Sequence, residues 1–193
     1  MPARRFQALL FDLDGTLVDS QLDFAALRRE LGFPDGIGVL EHLQTLAPLA
    51  AARARAVIDR HEQEGAAAAR WIDGAEALLA TLHQRGVPTA ILTRNSRAAV
   101  ARTHDVLNLP VDLILTREDC EPKPDPEGLL RIADRLRLVP ADCLYVGDFV
   151  YDLQAARNAG MAAGLLLNGG NQHFTDQADV VVGHLGELLD WLG

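Results

Sequence analysis

The sequence predicts a doubly wound parallel α/β domain with a small all-helical insertion after its first strand. Three observations predict it. A short, continuously apolar run, Ala8-Leu9-Leu10-Phe11, ends abruptly in carboxylates, as a buried strand does on reaching the ligand-binding edge of an open sheet. From Val87 onward, short apolar runs alternate regularly with helical stretches, the pattern of a parallel sheet with crossover helices. Between the two lies Leu22 to Arg70, helical in patterning throughout and far longer than the roughly dozen residues of an ordinary crossover.

Phe6 to Phe11 is the predicted first strand. Within the insertion, Leu22, Ala25, Ala26 and Leu31 mark one helix, ended by Gly32-Phe33-Pro34-Asp35-Gly36. A second covers Val39 to Leu46 and stops before Pro48; a third starts there and runs through an alanine- and arginine-rich stretch to Arg70. Trp71-Ile72-Asp73-Gly74 closes the insertion, with Asp73 as N-cap of a helix from Ala75 to Gln84 that Gly86 ends. The remaining expected elements are a strand at Val87–Thr93, a helix at Ser96–Leu107, a strand at Leu113–Leu115 and a helix at Pro126–Leu138. They continue with a strand at Leu144–Gly147, a helix at Tyr151–Ala159, a strand at Ala163–Leu167, a strand at Asp179–Val182 and a helix at Leu185–Leu192. Residues 1–20 and 71–193 are thereby assigned to the α/β core and 21–70 to a helical cap.

The 193 residues suffice for an ordinary core, and with 49% hydrophobic residues and a mean hydropathy near zero the chain reads as soluble and globular. A net charge of −9 argues against general affinity for nucleic acid or anionic membrane, so an anionic substrate needs a local cation. No apolar stretch approaches the ~18 residues of a membrane span, and a cytoplasmic location is the default expectation. Cys120 and Cys143 have no metal-ligand spacing and are too few for a disulfide framework. The basic residues are 17 Arg and one Lys, Lys123. A single compact ammonium in such a chain is either a point charge kept for a task or a chance lysine.

Four stretches at predicted strand ends carry polar residues. Asp12-Leu13-Asp14-Gly15-Thr16 offers two carboxylates two residues apart, then a glycine that lets the chain turn, then a hydroxyl. This suits a carboxylate nucleophile with a second carboxylate as proton carrier, and equally suits turn and cap residues. Thr93-Arg94-Asn95-Ser96 places a hydroxyl at a strand end and leads into a helix start, either an anion site or a plain cap. Glu121-Pro122-Lys123-Pro124-Asp125 holds the lysine between two prolines, which stiffen the backbone and aim the side chain. Gly147-Asp148-Phe149-Val150-Tyr151-Asp152 puts two aspartates four apart around a helix start, as Mg²⁺ ligands or as cap and first-turn acids.

In this order the four stretches resemble the motifs of the haloacid dehalogenase-like hydrolases, and the insertion after the first resembles the phosphoglycolate phosphatase-like branch. The resemblance spans the whole chain. It implies a Rossmann-like core in which Asp12 attacks phosphorus to form an aspartyl-phosphate, while Asp14 protonates the leaving oxygen and later activates water. It implies that Thr93 and Lys123 hold the phosphoryl group, with Thr16, Arg94 and Asn95 completing the phosphate cradle. Mg²⁺ is expected on the Asp12 carboxylate, the Asp14 main-chain carbonyl and Asp148, with Asp152 orienting a water on the metal or Lys123. The expected substrate is a small phosphorylated metabolite, phosphoglycolate-like or a sugar phosphate, with neither nucleic acid nor membrane as partner, and the protein is expected to be a monomer or homodimer.

Neighbouring branches differ at single positions. Dehalogenases lack the second aspartate, phosphonoacetaldehyde hydrolases use a cap lysine that this insertion does not have, and phosphomutases usually carry a smaller apolar residue at the Thr16 position. A sugar phosphomutase, or a non-catalytic binding or regulatory protein, remains the alternative to a phosphatase. Phosphoglycolate phosphatases often have Asn-Lys after the second-motif threonine, where this chain has Arg94-Asn95. Arg94 is either a bidentate clamp for a substrate carboxylate or a solvated helix-start residue, the second being favoured. Arg28, Arg29, His42, Arg53, Arg55 and His61 are the charged candidates for substrate selection in the cap, against the plainer reading of a solvated face.

Overall fold

The computed structural model describes residues 5–193, so the first four residues of the predicted core segment lie outside it. Six parallel strands form the sheet: β1 (Ala8–Phe11), β4 (Thr89–Leu92), β5 (Ile114–Leu115), β6 (Cys143–Gly147), β7 (Ala162–Leu166) and β8 (Val180–Val182). Their order is β5-β4-β1-β6-β7-β8, so the chain builds outward from β1 on one side and then returns to its other side. Strand order therefore reverses at β1, and the crevice for a ligand opens where β1, β4 and β6 end. Register places Phe11 opposite both Ile91 and Val146, so these three strands finish nearly level.

Both faces of the sheet are covered, which is why its strands are predominantly apolar on both sides. Leu9, Phe11, Leu144 and Val146 point to one face and pack with Leu78, Leu79 and Leu82 of α4 (Ala75–Gln84). Ala8, Leu10, Cys143 and Tyr145 point to the other and meet α6 (Glu127–Leu136) and α7 (Val150–Asn158) through Leu129, Ile132 and Leu153. Each large side chain so buried stabilises the fold by roughly 1.5–3 kcal/mol. α5 (Arg97–Leu107) follows β4 and starts at Ser96, whose hydroxyl accepts the Ala99 N–H.

The insertion consists of α1 (Phe24–Leu31), α2 (Val39–Gln44) and α3 (Pro48–Ala67), with a small core of its own around Leu27, Val39, Leu43, Ala54 and Ile58. Asp23 caps α1 by accepting the Ala26 N–H, and Gly32 ends it at φ +65°, where a side chain is strained. The chain leaves and re-enters the core through a two-stranded antiparallel ribbon, β2 (Val18–Asp19) and β3 (Arg70–Trp71), with Val18 opposite Trp71. The third predicted helix thus stops at Ala67, because Arg70 pairs with Asp19 instead of continuing the helix. Two other expectations are corrected. Asp73 does not cap α4: Gly74, at φ +80°, holds that position and the Asp73 side chain is 98% exposed. The last predicted helix is a 3₁₀ turn, Leu185–Trp191, that seats Leu185 and Leu188 under the sheet.

α3 is fastened to the core by charge as well as packing. Arg117, in the loop after β5, is 7% exposed and pairs with Glu62 and Asp59 of α3, each at 2.5 Å. The second Glu62 oxygen accepts from the Ser96 N–H at 3.2 Å and hydroxyl at 2.9 Å. No helix among the described residues is long and apolar enough to cross a membrane.

Candidate active site

The strand ends bring the singled-out residues into one crevice. Asp12 follows β1, Thr93 follows β4, Asp148 follows β6, and Lys123 arrives on the loop after β5. Lys123 is 4% exposed. Its Nζ lies 2.7 Å from Asp12 Oδ1 and 2.6 Å from Asp152 Oδ1, and donates to the Tyr145 hydroxyl at 3.0 Å. Burial works against its charge, but the two carboxylates outweigh burial and its pKa is raised. The ammonium is therefore held charged between two acids.

Asp152 sits in the first turn of α7, where its other oxygen accepts the Phe149 N–H at 3.1 Å. One side chain thereby caps a helix and aims the lysine. Asp148 is partly buried, and its Oδ2 accepts from Asn168 at 3.0 Å. Gly15, at φ +79°, passes so close that a Cβ there would lie 2.5 Å from the same oxygen. That position in the first motif needs glycine both for its backbone and for room.

Asp14 accepts from the Asn95 side-chain amide through Oδ2, while its Oδ1 is buried with no hydrogen-bond partner within 3.5 Å among the described residues. Burial raises its pKa, which suits a group that must carry a proton. Thr16 is fully buried, and its hydroxyl has no hydrogen-bond partner among the described residues. The Thr93 hydroxyl accepts the Asn95 N–H at 3.1 Å, so both Asn95 groups are engaged here in holding Thr93 and Asp14. Arg94 is not the solvated residue that the sequence favoured: it pairs with Glu41 of α2 at 2.5 Å, and its guanidinium lies 4.9 Å from the centre of the Tyr151 ring. Of the cap candidates, Arg28 lines the cavity, whereas His61 pairs with Glu30 and His42 packs edge-on against Phe33.

A family model for haloacid dehalogenase-like hydrolases matches residues 6–160, from β1 through α7, and so takes in Asp12, Asp14, Thr93, Lys123, Asp148 and Asp152. The chain belongs to the haloacid dehalogenase-like hydrolases. Among these hydrolases it is 34% identical to a phosphoglycolate phosphatase of Xylella fastidiosa, over 91% of this chain and 88% of that one. It is 29% identical to the N-acetylmuramic acid 6-phosphate phosphatase of Pseudomonas aeruginosa, over 100% and 97%. Its fold is shared with a hydrolase of Pseudomonas syringae, at TM-score 0.81 and 24% identity over 95% and 96% of the two chains. A haloacid dehalogenase-like hydrolase of Bacteroides fragilis follows at 0.80 and 23%, over 95% and 100%.

Two supports of this hydrolase site escaped the sequence. Tyr145 is fully buried in β6, accepts from Lys123 and donates to the Leu92 carbonyl at 3.0 Å. Asn171 is also buried and donates to the main-chain carbonyls of Asp148 and Leu166 at 2.8 and 2.9 Å. The available signal was polar residues at a strand or strand end: one phenol in Cys143-Leu144-Tyr145-Val146-Gly147, and Asn168 to Asn171 just after β7.

The residues fit a divalent cation. Asp12, Asp148 and Asp152 each present an oxygen within 4.8 Å of the others, an all-oxygen set suited to a hard ion such as Mg²⁺. With only the protein's own charges, burial pushes Asp12 up to about 8 and Asp148 up to about 6. An acid raised in this way binds a proton in the folded state that the unfolded chain has already released. Its effect on stability is therefore increasingly unfavourable from about pH 4 up to its folded pKa. A cation that favours the ionised carboxylates counters this and competes less with protons as pH rises. Mg²⁺ is thus expected to raise the melting temperature, and by more at pH 8 than at pH 6; thermal denaturation at both pH values checks this, and an equal or opposite effect counts against it.

Proposed function

We propose that the protein is a Mg²⁺-dependent phosphatase of a small phosphomonoester metabolite, working through an aspartyl-phosphate on Asp12. The observation that carries the reading is the buried Lys123 ammonium bridging Asp12 and Asp152 beside Asp148. A structural ion pair does not need three carboxylates around one lysine at the open edge of a sheet. A site that must receive a phosphoryl dianion next to a carboxylate nucleophile does. The names of the Xylella and Pseudomonas aeruginosa relatives point the same way.

In this reading an Asp12 oxygen attacks phosphorus, and the bond from phosphorus to the leaving oxygen breaks as Asp14 gives that oxygen its proton. Asp14 then takes a proton from water, whose oxygen attacks the same phosphorus and frees Asp12 with release of inorganic phosphate. Asn95 holds Asp14 for both transfers, and Asp152 and Tyr145 hold Lys123 where it meets developing charge. Thr93 supplies a hydroxyl at the phosphoryl position. Asp12, Asp148 and the Asp14 carbonyl would hold Mg²⁺, which supplies positive charge that offsets nucleophile and phosphate together. Residues 21–70 act as a cap over a core of 1–20 and 71–193, excluding water from the first step.

Phosphate release from phosphoglycolate, sugar phosphates and an aryl phosphate, with Mg²⁺ or with chelator, tests the reading. Metal-dependent turnover is expected, with chelation reducing it by about 10²-fold or more, since several kcal/mol of charge stabilisation are lost. Turnover that is indifferent to chelator removes the metal from the proposal, and no turnover of any compound removes the phosphatase.

A further inference from the structure

We infer that Glu62 of the inserted helix α3 is a positioning residue for proton transfer: it fixes the loop whose Asn95 holds Asp14, so that the acid stands ready only while α3 is docked. This rests on the phosphatase reading above and deepens it, because it gives the insertion a part in the chemistry besides covering the site.

The loop is Thr93-Arg94-Asn95-Ser96, between β4 and α5. Asn95 donates to Asp14 Oδ2 through its side-chain amide, and its N–H donates to the Thr93 hydroxyl at 3.1 Å. Further main-chain groups of the loop are held from outside it. Glu62 Oε2 accepts the Ser96 N–H at 3.2 Å and the Ser96 hydroxyl at 2.9 Å. A hydroxyl has one proton; with that proton turned to Glu62, the Ser96 oxygen faces α5 and accepts the Ala99 N–H. The other Glu62 oxygen accepts from Nη1 of Arg117 at 2.5 Å, and the same nitrogen donates to the Arg94 carbonyl at 3.3 Å. The Arg117 N–H donates to the Asn95 carbonyl at 3.2 Å.

A tie that only fastened α3 could end anywhere along α5. This one ends on the two residues that flank Asn95. Both charged side chains are 7% exposed, so water is largely excluded from the bonds that they make. Without Glu62, the Ser96 N–H and hydroxyl lose their acceptor, and Arg117 loses the carboxylate that sets Nη1 against the Arg94 carbonyl. Asn95 is then free to shift, and a displacement of about 1 Å in a group that aims a catalytic side chain costs about 10²-fold in rate.

The test sets two leaving groups against each other on the full chain with Mg²⁺. An alkyl phosphate needs its leaving oxygen protonated, whereas nitrophenyl phosphate expels a stable anion and does not. Since kcat/KM reports formation of the aspartyl-phosphate, the alkyl-to-nitrophenyl ratio of kcat/KM isolates the acid. Asp14→Asn sets the scale and should lower that ratio by about 10²-fold or more. Glu62→Ala should lower it by about 10-fold or more. With the nitrophenyl ester the same variant should show a burst of nitrophenolate followed by slow turnover, because the misplaced carboxylate must also activate water in the second step. Glu62→Leu with Arg117→Met leaves neither buried charge unpaired, and it carries the test if the alanine variant fails to fold. This double variant should melt close to wild type and keep the low ratio. A folded variant with the ratio unmoved, or with both esters slowed alike and no burst, overturns the inference. If Asp14→Asn lowers the ratio and the Glu62 variants do not, the inference falls and the phosphatase reading stands; no Asp12-dependent release from either ester overturns both.

Discussion

Asp12→Asn is expected to lower phosphate release by about 10⁴-fold or more while leaving the protein folded. The amide has nearly the same shape but is a far weaker nucleophile, and the neighbouring carboxylates have other partners. Asp14 has its Oδ2 turned to Asn95, and Asp152 is committed to Lys123 and the Phe149 N–H. Stability should not fall with activity, because burial already disfavours the ionised form of Asp12 and the neutral amide removes that cost. Lys123 loses one partner but retains Asp152 and Tyr145. Steady-state kinetics and a melting curve on the same preparation check both parts. Turnover within tenfold of wild type, from a protein that melts normally, would exclude Asp12 as nucleophile.

Lys123→Met should damage stability and turnover together, the opposite pattern. Methionine fits the apolar stem, but it strips the one cation from between two buried acids at 2.7 and 2.6 Å. Breaking a buried ion pair from one side costs about 3–5 kcal/mol. For a chain of this length that corresponds to a fall in melting temperature on the order of 10 °C. Turnover should drop by about 10²–10³-fold, as when a donor aimed at developing charge is removed. Adding Asp152→Asn should recover part of the lost stability, because it removes one of the two acids left unpaired, and should recover none of the activity. A single variant that melts like wild type, or a double variant that regains turnover, would show that the lysine is peripheral.

The contrast between these two variants bears on what a sequence makes legible. Asp12, Thr93 and Asp148 could be singled out because each follows a run of buried apolar residues, where a polar side chain has no packing reason to stand. Lys123 could be singled out because the chain otherwise uses only arginine. These signals are local, and the strand and helix alternation that frames them is local too. What escaped depends on partners far apart in the chain. Arg94 and Glu41 are separated by 53 residues, and Arg117 and Glu62 by 55. Nothing near either arginine marks it as half of an ion pair. The β2–β3 ribbon escaped because two residues per strand are too few to show a period of two, and it overrides the helical preference of the alanine-rich stretch before it. At Gly74 a backbone with positive φ takes the cap position that the neighbouring carboxylate of Asp73 suggests in the sequence.

The fastening of α3 by Arg117 has a consequence for traffic through the site. Parting α3 from the core exposes a guanidinium and a carboxylate that are each only 7% accessible when docked, and deprives Ser96 of its acceptor. At several kcal/mol, such an opening occupies well under one part in a hundred of the molecules. α1 and α2 pack on α3 around Leu27, Val39, Leu43 and Ile58, and Glu30 of α1 pairs with Arg60 and His61 of α3, so the same tie restrains the whole insertion. Traffic through the site thus passes a cover that is seldom parted from the core on its α3 side, where the buried ion pair holds it.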